Sequence, residues 1–361
     1  MRTYRPYPRV VAFAVSLLLI CSVSAGWAEC VIETRSDRSE DFVKHLSQAC
    51  TAEERTTHAI RADEIMTALQ QGKAIDLAGV VIEGNLAFDQ LPVVGIRTIE
   101  QLPPAIDQFL TSRNVTALRV ITQSVSIRDS YMRGSISTKL KDGYLLALRS
   151  ITMTGTRFDG LVDFSRTLFS EAVDWSDAVF LREGFFIQGL YEAPVRFDRA
   201  TFEGHTRFHL AQFREGASFA RVRFNGLTEF LEVNFGKDAD FAGSTFHMGT
   251  GFSGSRFLGR AEFSETVFER EVYLLFTNVA AETSFRGAAF RGVADFSDAK
   301  FQGATDFTRA DFAVDPLFQR TTMKGVLPSR GRAEDPRVLY AIAAGLATLT
   351  GVLIWRTRGR R

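Results

Sequence analysis

Large apolar residues recur along the middle of the chain at alternating steps of six and five. The series runs Phe158, Phe164, Phe169, Trp175, Phe180, Phe186, Tyr191, Phe197, Phe202, Phe208, Phe213, Phe219, Phe224, Phe230, Phe235, Phe241, Phe246, Phe252, Phe257 and Phe263. It continues through Phe268, Leu274, Val279, Phe285, Phe290, Phe296, Phe301, Phe307, Phe312 and Phe318. Residues five and six apart do not share one stripe of a helix with 3.6 residues per turn, so this is not an amphipathic helix. Small or β-branched residues stand two positions before many of these aromatics, among them Ala200, Ala217, Thr228, Ala239, Ser244 and Ala261. Residues two apart share a face of an extended strand, so each short strand points one large and one small side chain inward. Glycine recurs two positions after the aromatic, at Gly160, Gly204, Gly226, Gly243, Gly254, Gly259, Gly287, Gly292 and Gly303. The pattern predicts short strands joined by tight corners, with glycine supplying the permissive corner backbone.

In segments such as Ala239-Asp240-Phe241-Ala242-Gly243-Ser244-Thr245-Phe246 and Ala294-Asp295-Phe296-Ser297-Asp298-Ala299-Lys300-Phe301 the chain resembles the pentapeptide-repeat family, in a Phe-centred form. The resemblance implies an all-β fold, a right-handed quadrilateral β-helix. Four faces per coil then make 22 residues a turn. Stacked like neighbouring strands, the repeats make a rod of about seven coils and roughly 35 Å. Residues 22 apart should lie above one another. Phe197, Phe219, Phe241, Phe263, Phe285 and Phe307 are expected to form one internal column, and Phe202, Phe224, Phe246, Phe268, Phe290 and Phe312 a second. Burial is worth about 1.5–3 kcal/mol per Phe and offset ring stacking adds to it. Such an interior is filled, and is neither a pore nor a ligand cavity.

The same register reappears upstream, where Leu77, Ile82 and Phe88 are spaced by five and six and Ile127 and Met132 by five. We therefore expect degenerate coils over 74–150 and the regular repeat over 151–318, with an inserted loop near 91–114 that leaves the rod. Pro92, Pro103 and Pro104 interrupt the period there. A solenoid needs its first core layer covered. Ala62 to Gln71, with Ile65, Met66 and Leu69 on one side and Gly72 as a stop, predicts a short helix for that purpose, so 29–73 is expected to be an N-terminal helical cap. Thr51-Ala52-Glu53-Glu54 is a capping-box pattern that starts another helix directly after Cys50.

Both ends carry membrane-addressing patterns. Arg2, Arg5 and Arg9 precede the apolar run Val10 to Ile20 and the small residues Ser22, Ser24 and Ala25, which predicts a secretory signal within 1–28. After a linker over 319–337, Val338 to Trp355 carries no charge and is followed by Arg356, Arg358, Arg360 and Arg361. This predicts a transmembrane helix over 338–355 and a basic cytoplasmic tail over 356–361. The expected location is a bacterial inner membrane, single-pass, with the main domain on the periplasmic or extracytoplasmic side. Signal removal takes Cys21 away and leaves Cys30 and Cys50. Two cysteines in an oxidising compartment are expected to form one disulfide, with two free thiols as the alternative.

Composition changes this picture little. The chain holds 43 Lys+Arg against 42 Asp+Glu, so it presents no general field for a polyanion. The repeat over 151–318 is acidic, with 17 basic and 24 acidic residues. A mimic of duplex DNA acting on a topoisomerase is a role described for some members of the resembled family, but it needs the cytoplasm and a denser acidic surface and is not expected of an exported chain; the balanced charge leaves no nucleic-acid partner expected either. His205 and His209 have a zinc-protease spacing, but Thr206 stands where the Glu is needed and two rings on a strand are not expected to converge on a metal. An outward column reads Asp240, Glu262, Ser284 and Asp306; carboxylates on a solvated face are expected to bind no cation. The weakest stretch of the repeat, Arg270 to Ser284, holds Tyr273, Leu274, Leu275 and Phe276 and is read as an imperfect coil or as an exposed apolar partner patch. No acid, base and nucleophile constellation stands out. The expectation is a non-enzymatic membrane-anchored scaffold without cofactor or metal, docking an unidentified protein or envelope component. The alternative is a glycan-binding or glycan-cleaving β-helix.

Overall fold

Two-residue strands alternate with corners, so one coil of the chain visits four faces. Val195–Arg196, Thr201–Phe202, Thr206–Arg207 and Gln212–Phe213 lie on the first, second, third and fourth faces, and Ala217–Ser218 returns to the first. Val195 pairs in parallel with Ala217, Thr201 with Arg223, Thr206 with Thr228 and Gln212 with Asn234. Backbone groups are thereby satisfied from coil to coil, as where Phe219 N donates to the Asp240 carbonyl at 2.6 Å and Phe241 N to that of Glu262 at 2.7 Å. The result is a right-handed β-solenoid of about 12 turns. The structure is a computed structural model and describes residues 29–35, 41–99, 102–138, 143–325, 327–329 and 331–332.

The spacing of coils explains why one residue type serves every turn. Neighbouring strands sit about 4.8 Å apart, close to the separation at which offset aromatic rings attract. In the first-face column Phe197, Phe219, Phe241, Phe263, Phe285 and Phe307 follow one another at 5.0, 4.9, 5.0, 5.1 and 5.0 Å between ring centroids. On the second face Phe202, Phe224, Phe246, Phe268, Phe290 and Phe312 stack at 5.2, 4.8, 5.2, 5.1 and 4.5 Å. Rings of different columns meet edge to face, as Phe230 does with Phe241. All twelve of these column residues are buried. Leu274 and Val279 point inward as well, and their coil keeps its register through Val272 with Ala294 and Asn278 with Lys300.

The corners are of two kinds, which the glycine pattern alone did not separate. After the first and third faces the second residue beyond the aromatic has positive φ, every eleven residues, as at Arg166 (54°), Arg199 (60°), Leu210 (57°), Phe276 (56°) and Arg320 (57°). In this series glycine occupies Gly155, Gly243, Gly254 and Gly287, while the other positions hold residues with side chains in a region that costs about 1–2 kcal/mol. After the second and fourth faces φ is ordinary, and glycine serves close approach: a Cβ on Gly226 would overlap the Gly204 carbonyl, and one on Gly303 that of Ala281.

The first turn is closed by helices. Helix α1 (Ala52–Thr57) starts at Thr51, whose hydroxyl accepts the Glu54 amide while the Glu54 carboxylate accepts the Thr51 amide. Helix α2 (Ala62–Gln70) lays Ile65, Met66, Ala68 and Leu69 against the core of the first coils. The region 29–73 is nonetheless more than a helical cap. Asp41–Leu46 pairs in parallel with Ala74–Ala78, and Ile60–Arg61 with Val81–Glu83, so strands of the solenoid begin near Asp41. A disulfide joins Cys30 to Cys50 across 20 residues and ties the start of the described chain to α1.

The inserted segment is not a loop that leaves the rod. Val93–Gly95 pairs antiparallel with the start of Ala117–Ile121, and helix α3 (Pro104–Ser112) folds back onto the fourth face. There Ile106, Phe109 and Leu110 form a separate core with the outward residues Leu146, Leu168 and Leu190. Farther along the same outward column stand Gln212, Asn234, Arg256, Asn278 and Lys300. The leucines mark how far the insert reaches. At the other end Gly331–Arg332 pairs antiparallel with Asp311–Phe312 on the second face. The signal expected within 1–28 and the span expected over 338–355 lie outside the described residues, and among the described residues no helix is long and apolar enough to cross a membrane.

Candidate docking face

With the interior filled, chemistry and recognition are left to outward positions, and the third face differs from the others. Its outward column reads Phe185, Arg207, Glu229, Gly251, Tyr273, Asp295 and Leu317, each paired with the next in register. Leu210, Leu227, Met248, Tyr273 and Phe276 are all exposed on or beside it. The coil in their midst carries Gly249 and Gly251 outward. A Cβ on Gly251 would lie 3.2 Å from a Leu231 methyl and one on Gly249 3.7 Å from a Leu227 methyl and 4.0 Å from Glu271 Oε2, so these side chains lean across the coil and Gly251 is buried beneath Leu231. Exposed apolar side chains thus run from Leu227 to Phe276, with the exposed carboxylates Glu232 and Glu271 among them. Of the Tyr273 to Phe276 stretch, Leu274 belongs to the core, whereas Phe276 is 66% exposed. Phe276 also holds a φ of 56°, so neither packing nor corner geometry asks for an aromatic there. Large apolar area on a surface commonly marks an interaction site.

Below this patch lies a charge cluster. Glu229 Oε2 lies 2.8 Å from His205 Nε2, accepts from Arg207 Nε at 3.0 Å and stands 3.3 Å from His209 Nε2. The two histidine rings both approach this one oxygen, because the strand ends between them and each reaches up to the next coil. They converge on a carboxylate. Burial pushes the Glu229 carboxyl up, but the His205 hydrogen bond, the His209 charge and the Arg207 hydrogen bond outweigh it and leave the group below its ordinary range. Among the described residues no group of three His, Cys, Asp or Glu is placed to hold a metal. The Arg207 guanidinium already brings to that oxygen the positive charge a cation would supply.

The acidic column of the first face has a local explanation. Asp240 accepts the Ala242 amide at 2.8 Å, Glu262 that of Ser264 at 3.0 Å and Asp306 that of Thr308 at 2.7 Å, with Ser284 accepting that of Arg286 at 3.4 Å. Each holds the amide that leads into a left-handed corner, as Asp163, Asp174 and Asp295 do elsewhere. Beside the cap, a polar cleft is lined by Asp63, Glu83, Asn85, Asp89 and Ser135. Its carboxylates Asp63 and Glu83 are held by Arg61 at 2.8 Å and Arg133 at 2.9 Å.

The Cys30–Cys50 bridge and the stacked Phe columns hold the scaffold and lie away from the third-face surface. The residues that shape that surface, Arg207, Leu227, Glu229, Leu231 and Gly251, were not singled out in sequence for it. Reading the position before each third-face aromatic at intervals of 22 would have found its column. A family model described as pentapeptide repeats matches residues 192–233, 230–277 and 285–327, with 9 copies. The chain carries a pentapeptide-repeat domain. Pentapeptide-repeat solenoids are typically protein–protein interaction scaffolds and are generally non-catalytic. No curated protein and no solved structure matches the chain.

Proposed function

We propose that this pentapeptide-repeat chain is a non-enzymatic scaffold, held at the outer side of a bacterial inner membrane by its C-terminal apolar segment, that docks a protein or envelope component on its third face. The observation that carries the docking reading is the group of exposed apolar side chains Leu227, Met248, Tyr273 and Phe276 around the glycine-bearing coil, on a rod whose interior is filled by side chains. Anchoring and sidedness rest on the uncharged run Val338 to Trp355, its Arg flank and the basic, apolar start of the chain. The full chain should stay in the membrane fraction through high salt and carbonate, and a chain ending at Arg332 should leave it. Protease added from outside the cytoplasm should cut at Arg330 or Arg332 and release the rod. Protection there, with cleavage from the cytoplasmic side, overturns the exported reading.

A further inference from the structure

The outward column of the third face is self-complementary about its glycine. Counting coils away from Gly251 in both directions, Glu229 is matched by Tyr273, Arg207 by Asp295 and Phe185 by Leu317. Each match joins groups that attract: a carboxylate with a phenol donor, a guanidinium with a carboxylate, and two apolar side chains. The charges are also unevenly provided for within one chain. Arg207, His205 and His209 crowd around Glu229, whereas Asp295 accepts the Ser297 amide at 2.9 Å and has no ion pair among the described residues.

We infer that the occupant of the third face is a second copy of this chain, packed face to face with the rods antiparallel. A two-fold axis lying in the interface along the Thr250–Gly251 strand reverses the order of coils but keeps each column opposite itself. Arg207 of one copy then stands opposite Asp295 of the other. The Gly251 coils lie opposite one another, each covered by its own Leu231, which comes opposite Leu275 of the other copy, while Leu227 faces Glu271. The arrangement also agrees with anchoring at one membrane. The last described residues, Gly331–Arg332, pair with Asp311–Phe312 on the second face, and this axis keeps both second faces on the same side of the dimer. The rods would lie flat, with both tethers directed the same way. The inference rests on reading the third face as a docking surface and not on the direction of export.

The test is the mass of the full chain in detergent by sedimentation, with circular dichroism as the check on folding. The wild-type chain should be a dimer. Arg207→Asp and Asp295→Arg should each raise the dissociation constant at least about tenfold, since each sets like charges opposite one another, and the double reversal should recover the dimer. Leu231→Asp should give monomer, and Leu258→Asp, at an exposed leucine beyond the fourth face, should not. Because Arg207 also serves Glu229, Ser253→Cys supplies an independent readout. Ser253 lies on the axial coil, so mild oxidation should link two copies through it, while the first-face variant Ser264→Cys and the unsubstituted chain should stay unlinked. A monomeric wild type, a folded double reversal that stays monomeric, or a Ser253→Cys chain that does not cross-link overturns the dimer. Failure here leaves the fractionation and protease results untouched, so the two readings fail separately.

Discussion

Replacing Phe241 with alanine probes the column architecture at its centre. The ring is fully buried, stacked between Phe219 at 4.9 Å and Phe263 at 5.0 Å and met edge-on by Phe230 and Phe252 at 5.3 Å. A buried Phe→Ala substitution costs about 3–5 kcal/mol through lost transfer energy and the cavity left behind. Two stacked partners contribute about 0.5–1.5 kcal/mol each beyond area, so Phe241→Ala belongs near the upper end of that range. Each coil touches only its neighbours, so the loss should be felt locally before it is felt globally. Hydrogen exchange is the suitable assay: the Phe219 and Phe263 amides, bonded to the Asp240 and Ser284 carbonyls, should exchange about a thousandfold faster. The Ile82 region, many coils away, should be little changed. Ala220→Asp, at a half-buried corner position outside the stack, is the control and should be near neutral in thermal melts. Equal melting and equal exchange in Phe241→Ala and Ala220→Asp would show that the columns do not carry the stability.

Two further outcomes follow from single side chains. Tyr191 is fully buried between Phe169 at 4.8 Å and Phe213 at 4.7 Å, burial pushes its phenol far above the ordinary range, and its hydroxyl has no hydrogen-bond partner among the described residues. Tyr191→Phe should therefore raise stability in urea unfolding by about 1 kcal/mol, and an equal loss would mean that the hydroxyl is satisfied. At Asp240, burial raises the carboxyl pKa, the Ala242 amide partly opposes this, and the charges of Glu262 and Asp198 add to the rise. An acid whose folded pKa is raised costs nothing below its unfolded value and destabilises as pH rises above it. Asp240→Asn keeps an acceptor for the Ala242 amide, so it should melt above the parent at neutral pH, with the gap closing below pH 3.8. A gap that widens in acid would contradict the sign.

The regular part of the fold was legible because its cause is periodic. A coil spacing near the stacking distance of rings repeats one local choice, and residues such as Phe219, Phe241 and Phe263 announce their columns in one dimension. The start of the first helix and the stop of the second were also legible, since Thr51 with Glu54 and Gly72 act over a few residues. What sequence could not separate were effects that depend on the neighbouring coil. Gly226 and Gly243 occupy equivalent places in the motif, yet one avoids a carbonyl 22 residues away and the other adopts a left-handed backbone. The insert over 91–114 lost the repeat period, and the leucines that receive it, Leu168 and Leu190, fit a strand pattern without revealing that α3 covers them. The convergence of His205, Arg207 and His209 on Glu229 likewise required the next coil to be in place. Chain-local chemistry set the strands, corners and caps, while stacking in register decided which outward side chains share a surface.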